Sequence, residues 1–124
     1  MKEIEEIENK AKEIQEILKS HGIISSYKCR VGSGYLVIVE MECFNQDGRL
    51  GTVKFNGFLD EYEVWFHANI EKYVSPIMNV KLRGSIWGQE EDNTRYDYRR
   101  RVAFGLLELA VWEALEDIEF LRTL

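Results

Sequence analysis

Nine consecutive residues, NTRYDYRRR at 93–101, carry four arginines and two tyrosines. Fixed cations beside stacking faces are the combination that grips phosphates or single-stranded nucleic acid. Arg95, Tyr96, Tyr98, Arg99, Arg100 and Arg101 are therefore the candidate anion or nucleic-acid residues. The same run also reads as the first turn of a helix, because Thr94 and Asp97 have capping-box spacing. Asp97 would then pair with Arg100 and Arg101 at i+3 and i+4, leaving Arg95 and Arg99 less neutralised. Cations at a helix N-terminus oppose the dipole by roughly a few tenths of a kcal/mol. The cluster thus asks for an anionic partner, and QEED at 89–92 is the nearest.

No other constellation has comparable chemistry. His21 and His67 belong to no H-E-x-x-H or Cys/His pattern. Glu63 and His67 share a strand face but lie about 13 Å apart along it. The acidic residues fall on exposed faces, turns or helix rims, which denies a carboxylate pair the burial that raises one pKa. GSG at 32–34 reads as a hairpin, not as a phosphate cradle opening a helix, and neither a nucleophile elbow nor a P-loop is present. Cys29 and Cys43 lack zinc or CxxC spacing. With Cys29 opposite about residue 37 across the hairpin, Cys43 lies six residues further along the second strand, about 20 Å away and too far for a disulfide. The expectation is a non-catalytic protein with free thiols, no metal and no cofactor.

The positioning elements follow from hydrophobic period. Ile4, Ile7, Ala11, Ile14 and Leu18 recur at helical spacing and predict a helix over 3–20, closed by Gly22 as a left-handed cap. Beyond it the period changes to two, predicting strands at about 26–31, 35–44, 52–57, 62–68 and 78–84. Matching apolar faces pairs Cys29 with Val37 across GSG, and Cys43 with Val53 and Met41 with Phe55 across NQDGRL. That second register implies a loop of at least three residues at Asp47-Gly48. Leu36, Ile38 and Trp65 fall on the outward sheet face and form a candidate partner-binding patch.

The last helix is predicted over 95–122. Ala103, Leu107, Ala110, Ala114, Ile118 and Leu121 make its sheet-facing stripe. Tyr98, Val102, Leu109, Trp112 and Phe120 lie on the other side. A helix apolar on both sides is normally buried on both, so these five are the candidate homodimer interface.

The totals fit one domain spanning 1–124. The chain has 124 residues, 45% of them apolar and 31% charged, with one proline. That is long enough for a hydrophobic core and ordinary for a globular protein. The net charge of −6 argues against duplex DNA or an anionic membrane as a whole-body partner. The acidic N-terminus is unlike a secretory signal, and the cytoplasm is the expected compartment. The fold class is α+β in two layers: an N-terminal helix, an antiparallel four- to five-stranded meander, and a long C-terminal helix packed on the sheet. In architecture alone this order resembles small partner-binding adaptors and secretion-type chaperones, and folds do not fix function. The leading expectation is a homodimeric protein-binding or regulatory module, a class that includes viral and host inhibitors. The alternative is single-stranded nucleic-acid or nucleotide binding through residues 95–101.

Overall fold

The computed structural model describes residues 4–31, 36–58 and 61–124. Helix α1 spans Ile4–Ser20, and strands β1 (Ile24–Val31), β2 (Leu36–Asn45), β3 (Gly48–Phe58) and β4 (Glu61–Ile70) follow. A 3-10 helix at Pro76–Lys81 leads to β5 (Ser85–Glu90) and β6 (Asn93–Ala103). A short 3-10 turn, Phe104–Leu106, then opens α2 (Leu107–Thr123). All neighbouring strands are antiparallel, in the order β1-β2-β3-β4-β6-β5. The expected two-layer α+β fold is present: an N-terminal helix, an antiparallel sheet and a C-terminal helix packed on it.

Alternation builds the core. Val37, Val39, Met41 and Cys43 of β2, Val53 and Phe55 of β3, and Tyr62, Val64 and Phe66 of β4 all point to one face. Ile7, Ala11, Ile14 and Leu18 of α1 close over that face beside Leu107, Ala110, Ala114, Ile118 and Leu121 of α2. The small Ala110 and Ala114 let α2 approach the strands closely. After α1, Gly22 takes a φ of 74°, and the amides of Gly22 and Ile23 return to the carbonyls of Lys19 and Leu18. This is the left-handed cap that the sequence foretold. The two helices lie side by side on the same sheet face, joined by Lys10 to Glu108 at 2.5 Å and by His21 to Glu119 at 3.3 Å.

The hairpins keep the expected faces but not the expected registers. Cys29 pairs with Val39 and Met41 with Val53, each two residues from the sequence-based pairing. A slip of two conserves which side every residue faces. The expected GSG loop at 32–34 lies outside the described residues. At the second hairpin the turn is tight, with Asn45 opposite Gly48, and no longer loop is needed. Instead the register shifts between Cys43 and Phe44, where Leu50 is the extra residue of a bulge and turns into the core.

The C-terminal third departs most from the expectation. Residues 78–84 are not a strand. Met78 and Leu82 tuck against the core from the 3-10 segment, while Val80 is 86% exposed. Asn79 uses both ends of its amide on Ile86, accepting from its N–H at 2.6 Å and donating to its carbonyl at 3.3 Å. One side chain thereby satisfies part of the open edge of β5. Residues 95–103, expected as the start of a helix over 95–122, belong to strand β6, and the helix itself covers only 107–123. Thr94 caps nothing: it is buried, accepting from the Val74 N–H at 2.6 Å and donating to the Val74 carbonyl at 3.3 Å.

Candidate functional site

Strand alternation splits the arginine–tyrosine run in two. Tyr96, Tyr98, Arg100 and Val102 turn toward the helices, whereas Arg95, Asp97, Arg99 and Arg101 turn to the opposite sheet face. Tyr96 and Tyr98 are buried, donating their hydroxyls to Asp117 at 2.7 Å and Glu113 at 2.8 Å. Neither offers a stacking face, and Tyr98 cannot belong to a dimer interface. Arg100 reaches the same Glu113 at 2.5 Å, which ties it to α2 and sets it apart from the other three arginines. Val102 is half-buried against the core and lies on β6, beside Leu106 and Leu109.

What remains is a row of cations on a sheet face that no described element covers. Trp65 stands opposite Arg99 on β6 and Lys54 on β3. The Arg99 guanidinium lies over the Trp65 ring, 4.5 Å from its centroid, and its Nε is 3.6 Å from Glu63. Arg95 pairs with Asp97 at 3.2 Å, so Asp97 serves neither Arg100 nor Arg101. Lys54 faces Glu40 at 3.7 Å. Glu91 and Asp92 stand exposed in the β5–β6 turn and enter no ion pair among the described residues. The expected role of QEED as partner to the arginines thus gains no contact from either of them. Leu36, Ile38 and Trp65 do share this open face, as the alternation required, and all three are half-buried by neighbouring side chains.

Two further residues stand on this face: His67, which the strand alternation already turns outward, and Trp87, which the predicted strands do not include. His67 lies beside Trp65, ring centroids 6.0 Å apart, and opposite Asp97. Burial lowers its pKa, and the Arg95 and Arg49 charges push it the same way against Asp97. The ring is therefore neutral near pH 7. Trp87 is 60% exposed and opposes Arg95 from β5. Its signal was present in SIWGQE, where Ile86 faces the core and Trp87 faces out, but six residues make a short pattern.

The outer side of α2 keeps three of the five expected interface residues. Leu109 is 54% and Trp112 39% exposed, and Phe120 is half-buried. Trp112 meets the His21 ring edge-on at 4.6 Å. Both cysteines are free, with Cys29 half-buried and Cys43 buried. Burial pushes the Cys43 thiol up to about 12, which removes it as a nucleophile near neutral pH. Among the described residues no group of three His, Cys, Asp or Glu side chains could hold a metal, and no helix is long and apolar enough to cross a membrane. The chain matches no family model, no curated protein and no solved structure.

Proposed function

We propose that the protein is a non-catalytic binding module that docks an acidic protein surface on the open face of its sheet. The observation that carries the reading is the centre of that face: Trp65 beneath the Arg99 guanidinium, with Lys54, Arg95 and Arg101 around it. An aromatic anchor with arginines is the composition of interface hot spots. Arginine is also the cation best suited to carboxylates, which it meets with a rigid fork of donors.

A protein fits the face better than a nucleic acid does. Glu40, Glu42, Glu63 and Asp97 are interspersed among the cations, and a continuous phosphate backbone would have to pass them. A protein surface of mixed sign can match both. The second reading remains single-stranded nucleic acid, supported by Arg95, Arg99 and Arg101 on one face with the Trp65 and Trp87 rings. We also assign a homodimer through the outer side of α2. The cytoplasm is the compartment we assign, since free thiols suit a reducing environment.

The test starts with a protein captured from the source organism and then produced pure. Calorimetric titration with wild type and Trp65→Ala should show affinity falling by about thirtyfold, the loss of one hot-spot side chain. Equal affinities would remove the open face from the interface. Oligonucleotides titrated by anisotropy at low salt separate the second reading. Tight binding with a steep salt slope, lost in Arg95→Ala/Arg99→Ala, would replace the protein reading with the nucleic-acid one.

A further inference from the structure

Beside Arg95 the open face is broken by a cleft of about 480 Å3. Its cause is the β3 bulge. Pairing of β3 with β4 stops at Gly51 opposite Ala68, while β4 continues along β6 through Asn69 opposite Arg95 and Ile70 opposite Thr94. The tip of the β2–β3 hairpin therefore parts from β4, and the gap opens between Arg49 and Arg95. Gly51 holds the floor close: a Cβ there would fall 2.0 Å from the His67 carbonyl oxygen.

The lining is rich in donors. Arg49, His67, Asn69, Asn93 and Arg95 contribute to it, and among the described residues no carboxylate does. Arg95 is shared with Asp97 just outside the cleft. Arg49 donates to the Thr52 hydroxyl at 3.3 Å and enters no ion pair among the described residues. Among the described residues the two guanidinium groups thus share a single ion pair, that of Arg95 with Asp97, in a chain whose net charge is −6. Local surplus of this kind is a binding potential, not a solubility device.

We propose that this cleft binds a phosphoryl group carried by a small molecule, held between Arg49 and Arg95, with His67 and the amides of Asn69 and Asn93 as further donors. Paired arginine forks match the tetrahedral, doubly charged oxyanion. The volume lies within the roughly 300–1,000 Å3 typical of small-ligand sites and is too small for a polymer groove. The site does not depend on the protein-docking reading, with which it shares only Arg95.

Calorimetry with pyrophosphate at low ionic strength and pH 7 should give saturable binding at one site. Arg49→Ala should weaken it by about tenfold or more, and Arg49→Lys, which keeps the charge without the fork, by less. Arg101→Ala, on the same face but outside the cleft, should leave it unchanged. The groups facing the His67 ring are Arg49, Arg95 and Asp97, with Trp65 beside it. A bound dianion offsets the two arginines, so proton NMR should show the His67 pKa rising on saturation. The proposal fails if pyrophosphate does not saturate in the millimolar range, if Arg49→Ala binds as tightly as wild type, or if citrate binds and pyrophosphate does not. A loss of binding in Arg101→Ala equal to that in Arg49→Ala would also overturn it, as general charge attraction.

Discussion

Among the described residues Asp117 is the one acidic side chain driven into the core, only 5% exposed. Its Oδ2 accepts three hydrogen bonds, from the Tyr96 hydroxyl at 2.7 Å and from the backbone amides of Gly84 and Arg83 at 2.8 and 3.0 Å. One carboxylate thus ties α2 to β6 and to the segment entering β5. Burial first, then the bond to Asp117, raises the Tyr96 pKa far above its ordinary value, so the phenol remains a donor at all working pH. Tyr96→Phe should lower unfolding free energy in urea by about 1.5–3 kcal/mol, the range for a bond to a charged group. Asp117→Ala strands all three donors and should lose about 4 kcal/mol or more. A loss below about 1 kcal/mol in the alanine variant would mean that water replaces the carboxylate. The sequence did hold a sign of this role. Asp117 sits in phase with Ala110, Ala114 and Leu121 on the buried stripe, where a solvated rim residue does not belong.

At the scale of elements, the sheet faces of β1 to β4 were legible because period-two alternation is strict there. Registers were not, because a slip of two residues leaves the pattern unchanged and only turn geometry decides between them. β6 was misread for a physical reason. Thr94, Tyr96, Tyr98 and Val102 alternate as a strand should, but Arg100 occupies an inward position and breaks the series. The helix reading required four arginines against the N-terminal dipole, and that conflict was the clue to a strand. Arg100 is tolerated inward because it reaches Glu113 on α2, where Tyr98 also donates. Burial pulls the Glu113 pKa upward, but the bonds from Tyr98 and Arg100 outweigh it and hold the carboxyl below its usual value. A carboxylate with a depressed folded pKa binds its proton more readily in the unfolded chain. Its contribution is whole above about pH 5 and lost as pH falls through the folded pKa. Glu113→Gln should therefore cost about 0.5–1 kcal/mol at pH 7, discounted for solvent screening of Arg100, with the difference shrinking towards pH 3. Urea midpoints of both proteins at the two pH values measure it. A difference that stayed constant or grew in acid would refute the linkage.

For the whole molecule, the two candidate surfaces lie on opposite sides: the open sheet face on one, the outer side of α2 on the other. Because α1 packs beside α2 and not over it, Leu109 and Trp112 stay uncovered, together with Leu106, which is also exposed. A second copy placed there would leave both sheet faces free and pointing away from the junction. Such a dimer is bivalent, and bivalence multiplies apparent affinity for a partner displayed at high density without any new contact. Leu109→Glu is the cleaner probe, since Trp112 also supports the His21 ring within the chain. Wild type should scatter as twice the 14.6 kDa chain mass and Leu109→Glu as one. The variant should then keep its affinity for soluble partner while dissociating faster from partner immobilised on a surface. A wild type that scatters as a single chain would remove the dimer. A variant that stays dimeric would move the interface off α2, and the open sheet face would become the next surface to probe.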